Sequence, residues 1–282
     1  MTENRIADAF ERARSDGSAA FIPYLTAGDP SAAGTVELAR TLAEAGADVL
    51  ELGVPFSDPI ADGPVLQRAA DRALAAGTTL SDVWRIAEEI RSETRLALLL
   101  FSYLNPLLHR GLERTAREAR GAGLDGVLVT DLPPEEAGEI EPVIREAGLE
   151  TVFLVSPTST ADRMARAAEL STGFLYVISR PGTTGARASL PADLPATVAR
   201  ARRAVERRQR GSGEESLPVA VGFGISTPPM ARAAARMADG VVVGSALVAA
   251  SEEGGTEGVG RLARRLARAC RRDESPKSKV QT

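Results

Sequence analysis

Ala45-Gly-Ala-Asp-Val-Leu50, Ala122-Gly-Leu-Asp-Gly-Val-Leu128 and Ala147-Gly-Leu-Glu-Thr-Val152 are three copies of one joint between a helix and a strand. The glycine falls just past the last helical turn, where the chain needs a left-handed backbone that side chains resist. An acid and a branched apolar run follow, the mark of a strand covered on both faces. Outward from these joints the same alternation continues. Strands are expected at Ala20–Leu25, Asp48–Gly53, Arg95–Phe101, Asp125–Thr130, Glu150–Val155, Gly173–Ser179, Val219–Gly222 and Gly240–Gly244. Amphipathic helices are expected between them, at Ala32–Ala45, Val65–Ala75, Leu80–Glu93, Leu112–Ala122, Pro134–Ala147, Thr160–Glu169, Ala192–Arg208 and Pro229–Met237. Arg5–Arg14 precedes the first strand and Val259–Arg271 closes the chain.

Eight strand–helix units in about 250 residues predict an α/β fold, a single (β/α)8 TIM barrel. It would carry an extra N-terminal helix and a short phosphate-binding helix after strand eight. The competing open, doubly wound sheet lacks its usual Gly-x-Gly-x-x-Gly turn after strand one. One domain is expected over residues 1–272, with a disordered tail over 273–282. Gln209–Ser216 reads as a flexible polar insert on the face away from the active site.

Composition narrows the chemistry. The formal net charge is −4, so the arginine-rich stretches Ala199–Arg210 and Arg261–Arg272 read as solvated helix faces, not nucleic-acid patches. The single cysteine, Cys270, excludes an intramolecular disulfide framework. No apolar run approaches the roughly 18 residues of a membrane span, and Met1-Thr-Glu-Asn-Arg5 lacks a leader pattern. A cytoplasmic protein with neither membrane nor nucleic-acid partner is expected. The only lysines, Lys277 and Lys279, lie in the polar tail, so a core Schiff base is not expected. The only histidine, His109, reads as a loop residue; a zinc site of several His ligands or a Ser-His nucleophile is not expected, and no metal is assigned. Acid–base chemistry must fall to Asp, Glu or Tyr.

Glu51 is the acid in the wrong place for a bland core. Strand periodicity puts it on the same face as Val49, so a carboxylate intrudes where an apolar side chain belongs. The loop that follows is stiffened by Pro55 and Pro59 and carries Asp62 back towards the strand end. Acids at the C-terminal ends of barrel strands suit proton transfer in a sheltered pocket. Glycine-bearing turns follow strands six, seven and eight: Gly182-Thr-Thr-Gly-Ala186, Gly222-Phe-Gly-Ile-Ser226 and Gly244-Ser245. The last two occupy the usual phosphate position of such barrels, where backbone N–H groups and a helix start hold an anion. Ser245 is expected to cap that helix, with Arg180 and Arg187 as possible supplements.

Further segments run in the same order as in a known family. They are Phe21-Ile-Pro-Tyr-Leu-Thr-Ala-Gly-Asp-Pro30, Glu51-Leu-Gly-Val-Pro-Phe-Ser-Asp-Pro-Ile-Ala-Asp-Gly-Pro64, Tyr103-Leu-Asn-Pro106, Thr130-Asp-Leu-Pro133, Ser179-Arg-Pro-Gly-Thr-Thr-Gly185, Val221-Gly-Phe-Gly-Ile-Ser226 and Asp239-Gly-Val-Val-Val-Gly-Ser245. With them the chain resembles the alpha subunits of tryptophan synthase. The resemblance implies reversible retro-aldol cleavage of indole-3-glycerol phosphate to indole and glyceraldehyde 3-phosphate, in tryptophan biosynthesis. It implies no cofactor in this chain, and an α2β2 complex with a pyridoxal-phosphate-bearing tryptophan synthase beta subunit that takes the indole. On matching positions, Glu51 and Asp62 correspond to the catalytic acids. Gly185, Phe223, Gly224, Gly244 and Ser245 correspond to phosphate-binding positions. Tyr24, Phe101, Tyr103, Tyr176 and Thr184 correspond to pocket and loop-closure positions, Tyr24 and Phe101 at places that vary in the family. A beta subunit would dock on the rim formed by Pro55, Asp58, Pro59, Asn105-Pro106 and Asp131-Leu-Pro133. The competing readings are a stand-alone indole-releasing lyase and a non-catalytic, phosphoester-binding regulatory barrel.

Overall fold

A computed structural model of the chain describes residues 4–179, 189–212 and 216–272. Eight parallel strands close on themselves: β1 (Ala20–Thr26), β2 (Val49–Gly53), β3 (Ala97–Ser102), β4 (Gly126–Val129), β5 (Glu150–Val155), β6 (Phe174–Ile178), β7 (Val219–Gly222) and β8 (Gly240–Val243). Closure is made where Ala20 pairs with Gly240. Around the barrel lie α1 (Arg5–Ser15), α2 (Ala32–Glu44), α3 (Pro64–Ala75), α4 (Leu80–Glu93), α5 (Leu104–His109), α6 (Leu112–Gly121), α7 (Glu141–Glu146), α8 (Ala161–Leu170), α9 (Leu194–Ser212), α10 (Pro228–Ala235) and α11 (Ser245–Cys270). This is the (β/α)8 barrel that the joints predict.

The joints work as their residues dictate. Gly46, Gly123 and Gly148 take φ of +97°, +86° and +80°. The acid that follows has a second task. The Asp48 carboxylate accepts from the Phe21 N–H at 2.8 Å, and that of Asp125 accepts from Leu98 N–H at 2.8 Å. Asp239 does the same for Val219 N–H at 3.0 Å. An acid before an even-numbered strand thus satisfies a backbone donor at the start of the strand before it.

The pleat separates two apolar layers. Val49, Ala97, Leu99, Leu128, Phe174 and Val242 fill the interior, whereas Leu50, Leu52, Leu98 and Leu100 pack outward against the helices. Glu51 therefore projects into the barrel with Val49, as its period demands. α1 closes the N-terminal end with Ile6 and Phe10, the latter 5.4 Å from the Phe174 ring. The C-terminal end is left for the site.

Two expectations need correction. The helix expected over Pro134–Ala147 is only α7, preceded by turns over 134–140. Pro142 explains this: inside a longer helix it could not donate to the Gly138 carbonyl, whereas near a helix start its missing N–H costs nothing. The Gln209–Ser216 insert begins as helix, because α9 runs on to Ser212. The short helix expected after strand eight and the closing helix are both present, labelled together as α11 and separated where Gly254 and Gly255 leave helical geometry. The tail at 273–282 lies outside the described residues.

Candidate active site

β2 and the loop after it position the two acids. Glu51 is 1% exposed, and its Oε1 has no hydrogen-bond partner. Burial pushes its carboxyl up to about 8, so it is protonated at neutral pH. Tyr24 of β1 is its register partner, and the Tyr24 hydroxyl lies 3.2 Å from Thr26 Oγ1. Asp62 is also buried, with Oδ1 unpartnered. Burial raises its carboxyl to about 6, and the hydrogen bond from Tyr103 opposes that rise. The Tyr103 hydroxyl donates to Asp62 Oδ2 at 3.2 Å and accepts from the Ala61 N–H at 3.0 Å. Gln67 donates to the Asp62 carbonyl at 2.9 Å, fastening the same loop to α3.

Glu51 opens onto a cavity at the strand ends. Tyr24, Phe101 and Tyr176 form its aromatic wall, with Tyr24 edge-on to Phe101 at 5.2 Å. The two tyrosines fit because glycine stands beside each. A Cβ on Gly53 would fall 2.1 Å from the Tyr24 hydroxyl oxygen, and one on Gly222 would fall 2.1 Å from that of Tyr176. Phe223, Gly224, Gly244 and Ser245 continue the lining. Phe223 and Gly224 both take positive φ, +67° and +83°. A left-handed phenylalanine is strained unless its surroundings hold it. Here the ring meets Tyr176 edge-on at 6.0 Å, and Ser179 Oγ donates to the Phe223 carbonyl.

Eight of the expected site residues therefore share one cavity. Asp62 and Tyr103 are not on its wall but meet each other in loop two. Gly185 and Thr184, with Arg180 and Arg187, lie outside the described residues. Ser245 does not cap α11; Gly244 holds that position, without a side-chain cap. The start of α11 thus faces the cavity with N–H groups that no side chain caps. On the rim, Pro55 is buried rather than exposed, whereas Asp58, Asn105 and Asp131 are exposed. His109 is exposed at the end of α5. Sequence reasoning missed Leu66, Ile225, Val242 and Ala246, which also line the cavity. They are ordinary apolar residues on core-facing periods, and nothing in their type distinguishes a wall from a core. Ser179 was passed over because its role is set by a carbonyl 44 residues away.

Among the described residues no group of three or more His, Cys, Asp or Glu side chains is arranged to hold a metal ion. Nor is any helix among them long and apolar enough to cross a membrane.

The fold and site define a class: a barrel enzyme with a buried carboxyl group at a strand end, in a cavity lined by aromatic side chains and glycine-bearing turns. The tryptophan synthase alpha chain family model matches residues 10–275. The alpha chain of Citrifermentans bemidjiense is 47% identical over 87% of this chain and 88% of its own length. That of Geobacter sulfurreducens is 46% identical over 87% and 89%. A solved structure of Mycobacterium tuberculosis tryptophan synthase superposes with a TM-score of 0.86 at 36% identity, covering 95% of this chain and 99% of that one. The tryptophan synthase alpha subunit of Legionella pneumophila gives 0.80 at 37% identity, covering 95% and 99%. This chain belongs to the tryptophan synthase alpha chain family.

Proposed function

We propose that Glu51 and Asp62 carry the alpha reaction of this lyase, the reversible cleavage of indole-3-glycerol phosphate to indole and glyceraldehyde 3-phosphate. The observation that carries the reading is the buried Glu51 carboxyl, its Oε1 unpartnered, in the cavity that Phe223, Gly224 and Ser245 complete. Being protonated near neutrality, Glu51 can deliver a proton to indole C3. Its carboxylate then takes the proton of the side-chain hydroxyl as the carbon–carbon bond breaks, giving indole and the aldehyde and restoring the acid. Asp62 accepts a hydrogen bond from the indole N–H, opposing the positive charge that develops on the ring. The aromatic wall holds the indole. The uncapped start of α11 and the Phe223–Gly224 turn hold the phosphate through backbone N–H groups.

The chain works without a cofactor of its own, in the cytoplasm, and delivers indole to a pyridoxal-phosphate beta subunit in an α2β2 complex. Its rim supports that partner: Ile60 in loop two is 78% exposed and Leu108 of α5 is 47% exposed. A partner seated on this rim would remove both apolar side chains from water. The test is to assay indole-3-glycerol phosphate cleavage by the purified chain, alone and with its beta subunit. Turnover that rises on complex formation is expected. Turnover unchanged by the beta subunit would favour a self-sufficient indole-releasing lyase, and none in either state a non-catalytic barrel.

A further inference from the structure

Behind the pocket, four charged side chains join three elements of the C-terminal face. Arg72 of α3 grips Asp29, in the loop after β1, through Nε–Oδ1 at 2.7 Å and Nη2–Oδ2 at 2.8 Å. Its remaining nitrogen, Nη1, donates to Glu252 Oε1 of α11 at 2.6 Å. Arg68, one turn earlier on α3, donates to Glu252 Oε2 at 2.9 Å. Both Glu252 oxygens are thus held from α3, and Asp29 is 6% exposed beneath the bidentate pair.

The elements so joined all reach the site. β1 carries Tyr24, and α3 follows directly from Asp62-Gly63 and contributes Leu66 to the cavity wall. α11 begins at Ser245 and contributes Ala246. Glu252 lies two turns along α11, and the chain leaves helical geometry two residues later. Gly254 has φ −139° and ψ 15°, and Gly255 has φ +53° and ψ −153°. Residues 245–253 are therefore a short rigid segment cut from the rest of α11 by a break. Such a break transmits orientation poorly, so the segment's pose needs another anchor.

We propose that Glu252, held by Arg68 and Arg72, is a positioning residue for phosphate binding: it fixes the segment that begins at Ser245 against the helix that follows Asp62. This rests on the phosphate cradle proposed above. Without the anchor, the cradle's N–H groups would lose their fixed aim while the acids and the aromatic wall stay in place. Glu252→Ala removes the anchor but leaves the buried Asp29–Arg72 pair intact.

Titrating this variant with glycerol 3-phosphate and with indole tests the proposal. A fivefold to tenfold loss of glycerol 3-phosphate affinity is expected, with indole affinity unchanged. KM for indole-3-glycerol phosphate should rise by a similar factor, and kcat should fall less than twofold. Glu252→Gln, which keeps an acceptor for one arginine, should recover part of the loss. Gly224→Val serves as the control for the cradle itself. If Gly224→Val weakens glycerol 3-phosphate and Glu252→Ala does not, the anchor is wrong and the cradle stands. If neither variant weakens it, the cradle reading fails. Equal weakening of both ligands by Glu252→Ala would make the cluster a general scaffold and overturn the positioning role.

Discussion

The Tyr103 hydroxyl bridges two neighbours in loop two, accepting from the Ala61 N–H at 3.0 Å while donating to the Asp62 carboxylate at 3.2 Å. One group on the β3 end thereby sets both the path of the loop and the aim of its acid. Phe56 packs against the same ring at 5.1 Å, so the loop closes on Tyr103 through apolar and polar contacts together.

Tyr103→Phe keeps the ring packing and removes the bridge. A hydrogen bond to a charged group contributes about 1.5–3 kcal/mol, which sets an expected kcat loss of about 10- to 100-fold. The bond also holds the Asp62 carboxyl down, so its removal should move the acidic limb of activity to higher pH. Steady-state kinetics across pH read both effects. A kcat within a factor of two and an unmoved limb would confine Tyr103 to packing.

Activity should follow a bell in pH. Asp62 acts ionised and titrates at about 6, whereas Glu51 acts protonated and titrates at about 8. Plots of kcat/KM should fall below the first value and above the second. Asp62→Asn should lower kcat more than it raises KM and should erase the acidic limb. A bell that keeps its acidic limb in that variant would assign the limb to another group.

The raised Glu51 carboxyl also costs stability, in a defined window. Its pKa rises from 4.5 in the unfolded chain to about 8 in the fold. Between these values the folded protein holds a proton that the unfolded chain has released, so stability falls as pH rises. The contribution is fully present below pH 4.5 and lost by about pH 8. Glutamine cannot ionise, so Glu51→Gln should gain on the parent across this window by up to about 3–5 kcal/mol. Denaturant unfolding at pH 5 and pH 8.5 measures it. A pH-independent difference would contradict the burial argument.

Gly224→Val tests the glycine-bearing part of the cavity lining. Gly224 has φ +83°, which a β-branched residue resists, and the added side chain would crowd the N–H groups offered to phosphate. Calorimetric titration should show glycerol 3-phosphate affinity falling at least tenfold with indole affinity unchanged. Parallel losses for both ligands would indicate general distortion of the pocket.

Much of this was legible in the sequence because barrels repeat. The Ala-Gly-x-acid joints mark where strands begin, and the period of β2 alone sends Glu51 inward with Val49. The secondary task of Asp48, Asp125 and Asp239 was not legible, since it depends on which strand lies alongside. The Pro134–Ala147 helix misled because its apolar spacing is helical; Pro142 overrides that spacing from within. Ser245 looked like a cap because serine favours that position, yet Gly244 takes it. The Arg68–Arg72–Glu252–Asp29 cluster was invisible because Glu252 lies 180 residues or more from its arginines and Asp29 lies 43 from Arg72. Residue type marks the chemistry here, and chain folding decides which groups hold it in place.

Single-turnover cleavage of indole-3-glycerol phosphate by Glu51→Gln asks whether Glu51 moves both protons. Glutamine keeps the shape of the side chain and cannot exchange protons. Loss of general acid–base catalysis removes about 10²–10⁴-fold in rate. The rate constant should fall by that factor, with glycerol 3-phosphate and indole still bound and the fold intact. A rate within tenfold of the parent, in a variant that binds both ligands normally, would contradict that role.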